Sequence, residues 1–318
     1  MRRSHIITIW GSNTGVGKTL VSAGLMSAVG RRSTLLRALY LKPVQTGLET
    51  DAFDGGSDGQ LIAAVVGGSH SLDKHAAMAD RQFLSAWTAP VGKNTGSGRD
   101  PLICRTLYAW RAPLSPHLAA EKEGRGVSDA DVVSKVRREI QSYEMRTSIA
   151  PSLTIVETAG GVMSPTPDGG VQCEELRFGG GALLVGDGQL GGISSTLCAA
   201  EALDARGHAT VGTAIFDHGF GNADALRRQR PSELVHSLPP PPALPEPAPQ
   251  DEARRPVNLA KAQRARVQSR VEGLAGWLET TAPHFDELLE AILASDVVAR
   301  PRYSVDDMLP APVVPEGI

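Results

Sequence analysis

The sequence predicts an α/β protein, a mostly parallel sheet with helices on both faces. Three observations lead there. Apolar, β-branched runs alternate with helical patterns from residue 5 to about residue 217. A glycine-rich bend joins the first strand pattern to the first helix pattern. An apolar run further on ends in a single acid, Glu157. Strands alternating with helices imply parallel pairing, with the connecting helices covering both sides of the sheet.

The elements follow in order. "HIITIW" reads as a buried strand. After Lys18, the residues Val21, Leu25, Ala28 and Val29 share one helical face, the spacing of an amphipathic helix. Ala38 to Leu41 is a short strand, and Glu49 to Asp100, rich in Gly, Asp and Ser, predicts loops and weak helices. A helix starts near Ser115 with Pro116 in its first turn, where proline is tolerated. "DADVVSKVRREIQSYEM" predicts a clear amphipathic helix. Leu153–Glu157, Ala182–Asp187 and Ala209–Asp217 are strands. "SSTLCAAEALDARG" is a helix capped by Ser194 or Ser195.

The character changes at Pro239–Gln250, "PPPPALPEPAPQ", which can form neither helix nor inner strand. Beyond it, Val267, Val271, Leu274, Trp277 and Leu278 suggest one helix, and Phe285, Leu288, Leu289 and Ile292 another. The expected organisation is a domain over 1–238, a proline-rich linker or loop over 239–262, and a helical extension over 263–318. That extension could also be the start of a truncated second domain.

Composition excludes several classes. The 318 residues carry a formal charge of −3 and only 4% aromatics, which argues against a nucleic-acid surface. Cys104, Cys173 and Cys198 are scattered, as free thiols in a reducing compartment are, and form neither a disulfide frame nor a zinc site. No apolar run approaches the roughly 20 residues that span a bilayer. "MRRSHIITIW" runs straight into a strand pattern, and is too short for a signal or transit peptide.

The bend "GSNTGVGKT" carries the chemistry. A phosphate loop reads G-x-x-x-x-G-K-[ST]. Gly17-Lys18-Thr19 matches its end, whereas Gly11 lies one residue too far back and Ser12 holds its place. The physics survives the departure. Gly15 and Gly17 are free to take positive φ, so the N–H groups of Asn13, Thr14, Gly15, Val16 and Gly17 can turn inward. The helix from about Lys18 adds its positive end. A nucleoside triphosphate would then meet Lys18, and the Thr19 hydroxyl would hold Mg²⁺. A plain glycine turn has no need of Lys-Thr at a strand-to-helix junction. The fold is therefore expected to be P-loop NTPase-like.

Glu157, followed by Gly160-Gly161, supplies an acid where open α/β sheets bind ligands. Lys42 in "YLKPVQTG" follows a short strand and faces the same crevice. Asp51, Asp54 and Asp58 come soon after, and any of them could be a second Mg²⁺ ligand.

Taken together, "GSNTGVGKT", "LKPVQTG", "SPHLAAE", "VETAGG" and "LVGDGQLGGIS" resemble dethiobiotin synthetase, over roughly residues 5–240. "CRTLYAWRAPLSPHLAAE" and "VETAGGVMSPTPDGGVQCE" are most similar to the synthetase half of the bifunctional eukaryotic enzyme, which also carries a diaminopelargonate aminotransferase. No lysine stands in a setting suited to pyridoxal phosphate. The resemblance implies ATP- and Mg²⁺-dependent ring closure of 7,8-diaminononanoate with CO₂ (or bicarbonate) to dethiobiotin, in biotin synthesis. It implies a homodimer, located in the mitochondrial matrix if the form is the bifunctional eukaryotic one and otherwise in the cytoplasm. It assigns Lys18 and Lys42 as catalytic, and Asn13 to Thr19 as nucleotide-binding. Lys42, Thr46, Gly160 and Gly161 fall to substrate, and Thr19, Asp58 and Glu157 to metal. Ser115, Pro116 and His117 would shape the pocket, and "GQLGGIS" would receive the substrate carboxylate across the dimer. Gly15 and Phe216 depart from bacterial relatives, which carry an acid and an asparagine there. The competing readings are a P-loop switch ATPase of the partition/iron-protein branch, which would need a lysine near Ser12 or Asn13, and a non-catalytic nucleotide-binding scaffold.

Overall fold

In the computed structural model, which describes residues 4–32, 36–48, 57–67, 87–91, 102–146, 151–243 and 256–300, seven parallel strands form one sheet. The full sheet has nine strands in the order β3-β4-β2-β5-β1-β6-β7-β8, with β9 paired to β1. The strands are β1 (Ser4–Gly11), β2 (Arg37–Gln45), β3 (Trp87–Val91), β4 (Leu102–Ala109), β5 (Ser152–Glu157), β6 (Gly181–Gly186), β7 (Thr210–Phe216), β8 (Val235–Leu238) and β9 (Ala299–Arg300). Only β3 against β4 and β9 against β1 are antiparallel.

The helices are α1 (Lys18–Arg31), α2 (Asp58–Gly67), α3 (Pro116–Lys122), α4 (Asp129–Arg146), α5 (Gln172–Glu175), α6 (Gly192–Ala205), α7 (Asn222–Gln229), α8 (Pro256–Thr280) and α9 (Ala282–Ala294). Strand periodicity sorts them onto two faces. Ile7 and Ile9 of β1 join a core with α1, α2, α8 and α9, while Ile6 faces a second core built with α3 and α4. The central strands are buried on both sides, which is why they read as continuous apolar runs. In α4, Val132, Val136, Ile140 and Tyr143 are buried at helical spacing. The Ser128 hydroxyl accepts from the N–H of Asp131 and donates to its carboxylate, closing the first turn.

Several elements differ from the sequence pattern. β2 runs on to Gln45, so Lys42 lies inside the strand and not after it. Its pairing with β5 stops at Leu41↔Val156, so the N–H that Pro43 lacks falls where only β4 still runs alongside. Within the stretch expected to hold loops and weak helices, Trp87–Val91 forms an edge strand. β4, α7 and β8 are elements the pattern left unassigned. Helix α6 starts at Gly192 with Gly191 as its cap. Ser194 and Ser195 therefore lie within its first turn, and the Ser195 hydroxyl donates back to the Gly192 carbonyl.

The C-terminal helices share the main core. α8 begins at Pro256, inside the stretch read as linker. Phe285, Leu288, Leu289 and Ile292 of α9 are buried in the same cluster as Val21, Leu25 and Val29 of α1. Arg31 pairs with Asp286 at 2.7 Å, and Arg32 pairs with Glu290. No helix among the described residues is long and apolar enough to cross a membrane. Leu288→Ala, at a fully buried position, should cost about 2–5 kcal/mol. Because α9 belongs to the main core, urea unfolding should remain one transition by both circular dichroism and tryptophan emission, with a lowered midpoint.

Candidate functional site

The glycine bend lies at the C-terminal end of β1, between β5 and β6, where the order of strands reverses around β1. This is the crevice in which open α/β sheets bind ligands. Gly15 and Gly17 adopt φ of 79° and 96°. Gly17 caps α1 in the left-handed region with no side-chain partner, leaving the first N–H groups of α1 free of a capping side chain. Thr14 N–H donates to the Asn13 side chain at 2.8 Å.

The loop after β5 closes against this bend. Val162 N–H donates to Gly11 O at 2.9 Å, and a Cβ on Gly161 would stand 3.4 Å from Asn13 Cα. Lys18, only 7% exposed, donates from Nζ to Gly160 O at 2.6 Å and to Asn13 O at 3.5 Å. Gly160, Gly161, Asn13 and Lys18 thus form one unit.

Glu157, the last residue of β5, is fully buried. It accepts four hydrogen bonds: Thr19 Oγ1 at 2.9 Å, Ser22 Oγ at 2.7 Å, Tyr40 OH at 3.0 Å and Lys42 Nζ at 2.8 Å. Lys42 Nζ also reaches Asp58 Oδ2 at 2.8 Å and Thr158 O at 3.1 Å. One ammonium therefore bridges two carboxylates beside the glycine loop. Burial alone would pull the Lys42 amine down, but Asp58 and Glu157 outweigh it and hold it well above the usual lysine range. The Asp58 carboxyl is held low by Lys42, against the opposing effect of its own burial. The buried Tyr40 hydroxyl is pushed up by desolvation and then by Glu157. Lys18 feels the opposite balance: burial first, then the Lys42 charge, lower it to about 8.

Asp58 owes its place to the start of α2. Ser57 N–H donates to Gln60 Oε1 at 2.8 Å, and Gln60 N–H to Ser57 Oγ at 3.3 Å, a reciprocal cap. Gln45 ties this turn to β2, accepting from Asp58 N–H at 3.3 Å and donating to Thr46 O at 3.0 Å. Thr46 is half-buried just beyond β2. Asp51 and Asp54 lie outside the described residues.

Two acidic oxygens within one hydrogen-bond length of the same nitrogen, with the Thr19 hydroxyl on one of them, make a hard oxygen set. Its chemistry fits a magnesium ion that keeps further oxygens from water or phosphate. Sequence reasoning missed Ser22, Tyr40 and Gln45. Ser22 stands three residues after Thr19 on the same helical face. Tyr40 stands two before Lys42 on the same strand face. Ser115 caps α3 and Pro116 fills its first turn. Asn222, also missed, fastens the "GQLGGIS" loop by donating to Asp187 O at 3.0 Å and Gln189 O at 2.8 Å. Phe216 ends β7 with its ring buried against the glycine loop.

A family model described as "AAA domain" matches residues 5–96. The chain is 38% identical over 268 residues to a protein of Oryza sativa subsp. japonica named bifunctional dethiobiotin synthetase/7,8-diamino-pelargonic acid aminotransferase, mitochondrial. That alignment takes in 76% of this chain and 31% of the relative. The chain thus spans about a third of the length of the plant relatives it matches. The ATP-dependent dethiobiotin synthetase BioD of Acidiphilium cryptum is 31% identical over 215 residues, covering 67% of this chain and 79% of that protein. Among solved structures, a ParA family ATPase from Chlorobium tepidum matches with a TM-score of 0.44 and 9% identity, covering 92% of this chain and 100% of that one.

The lowered Lys18 gives a pH prediction. At pH 8 the amine, lowered to about 8, is about half charged in the free protein. An arriving polyphosphate favours the charged form, so binding at pH 8 should take up about half a proton per site. Affinity should fall as pH rises from 8 toward 10, where the amine must first be protonated. Calorimetry in buffers of different ionisation enthalpy reads the uptake. No uptake and no loss of affinity anywhere between pH 8 and 10 would remove Lys18 as the counter-charge.

Proposed function

Since the chain belongs to the dethiobiotin synthetase family, we propose that it closes the ureido ring of dethiobiotin from 7,8-diaminononanoate, CO₂ and ATP. The observation that carries the reading is Lys42 Nζ, held at 2.8 Å from Glu157 Oε1, the oxygen that also accepts from Thr19 of the glycine loop. A cationic amine from β2 and the phosphate loop from β1 thereby converge on one rim of the sheet. Ring closure requires this, because two anions must meet.

One amine of the substrate takes up CO₂ as a carbamate. A carbamate oxygen attacks the γ-phosphorus of ATP, and ADP leaves with the electrons of the broken P–O bond. The second amine then attacks the carbamoyl carbon, inorganic phosphate departs, and the ring is closed. Lys42 offsets the carbamate charge. Lys18 and the first N–H groups of α1 hold the β- and γ-phosphates, stabilising the charge that spreads over the transferring group. Asn13 to Gly17 wrap the phosphates. Thr46, Gly160 and Gly161 line the path of the diamine. Thr19, Asp58 and Glu157 would hold Mg²⁺, which would supply positive charge to offset the repulsion between the phosphates and the incoming oxygen. Packing supplies the rest, since phosphoryl transfer depends mainly on position.

The working unit is a homodimer. If the chain is of the bifunctional eukaryotic kind, like the plant relatives whose names include "mitochondrial", its location is the mitochondrial matrix, and otherwise the cytoplasm.

The decisive assay is dethiobiotin formation by the purified chain. ATP turnover should require both 7,8-diaminononanoate and bicarbonate, whereas a switch ATPase or a scaffold would ignore them. Lys18→Ala should abolish turnover in a chain that circular dichroism shows to be folded. Lys42→Ala should lower kcat by about 10²–10³-fold, the usual loss of a preorganised charge. Glu157→Gln should raise the Mg²⁺ needed for half-maximal rate by about 10–100-fold. An unchanged metal titration removes Glu157 from the metal set.

A further inference from the structure

The C-terminal helices reach the phosphate loop through a column of aromatic rings. Phe285 of α9 meets Trp277 of α8 edge-on, with ring centres 5.7 Å apart and planes at 82°. Trp277 meets Phe216 at 6.0 Å and 51°. Phe216 lies against Gly17, where a Cβ would stand 2.4 Å from its ring. At the other end Phe285 lies against Gly24, where a Cβ would stand 2.1 Å from its ring. Gly17 and Gly24 are seven residues apart, which is about two turns of helix. They place two notches along α1, one at its N-cap and one at its middle.

Rings seated in both notches fix the rotation of α1 about its axis and its height above the sheet. The same helix carries Lys18 and Thr19 and opens with the N–H groups that face a phosphate. A close-packed aromatic contact transmits small shifts, because it cannot yield without losing its neighbours. The Trp277 indole N–H is buried without a partner, so its ring is held by packing alone.

We propose that Phe216 and Trp277 are positioning residues for the nucleotide. On this reading α8 and α9 set the affinity of the phosphate loop although they touch no phosphate. The inference rests on the loop binding a triphosphate, and its KM comparison rests also on the proposed ring closure of the diamine.

The test uses the full chain and measures ATP affinity by displacement of a fluorescent ATP analogue, with thermal midpoint and circular dichroism alongside. Trp277→Leu and Phe216→Leu keep apolar bulk and remove the rings. Each should weaken ATP binding about tenfold, and KM for ATP should rise while KM for the diamine stays within about twofold. Trp277→Phe keeps a ring and removes the orphaned N–H, so it should restore most of the affinity. Equal ATP affinity in folded Leu variants overturns the inference. So does a loss that Trp277→Phe fails to rescue, or one that raises both KM values alike. Should Trp277→Leu fail to fold, Phe216→Leu and Trp277→Phe decide. A wild-type chain that binds no ATP fails the phosphate-loop reading itself, a different outcome from these.

Discussion

The site is organised by one buried ammonium. Lys42 is 4% exposed and sits between the carboxylates of Asp58 and Glu157. Burial by itself would pull the Lys42 amine toward its neutral form, and the charges of Asp58 and Glu157 outweigh that pull. Each charge is tolerable only because the others are present, so β2, β5 and the start of α2 are locked into one arrangement. Removing one partner of such a group strands the rest, at a typical cost of about 3–5 kcal/mol.

The sheet topology makes this possible. Parallel strands present their C-terminal ends together, and β2, β5 and β1 are adjacent in the sheet. Ile9 pairs with Glu157, so the acid ends its strand level with the last residues of β1, where the glycine bend departs. Thr19 and Ser22 then reach it from α1. The hydrogen bonds from Tyr40 and Ser22 fasten the Oε2 side of Glu157 and leave the carboxylate little room to rotate, with Oε1 turned toward Thr19 and Lys42.

Much of this was legible in the sequence, for physical reasons that differ by residue. The strand, the bend and α1 were readable because Gly15, Gly17 and Lys-Thr at a junction have few other uses. Glu157 stood out as an acid closing an apolar run. Lys42 was placed near the rim although β2 was read as ending too early, since Pro43 suggested a stop that an unpaired strand margin does not require. Asp58 could not be separated from Asp51 and Asp54 by spacing alone; its position depends on the Ser57–Gln60 cap and on Gln45. Ser22 and Tyr40 are residue types that cores commonly hold, and only the third dimension aims them at Glu157. β4 and β8 are missed because Arg105, Thr106 and His236 interrupt their apolar pattern. Tertiary pairing with β2 and β7 overrides that local weakness. The packing of α9 on α1 was invisible, because nothing in the sequence says that Gly24 is a seat for Phe285.

The charge balance around Glu157 has a consequence for the protein's life in the cell. Asp58 and Glu157 are matched by Lys42 within the chain itself, so the resting fold owes no stability to a divalent ion. A small metalloprotein whose ligands repel one another collapses when its ion is withdrawn; here an ammonium of the same polypeptide already offsets both carboxylates, so the fold withstands a chelator.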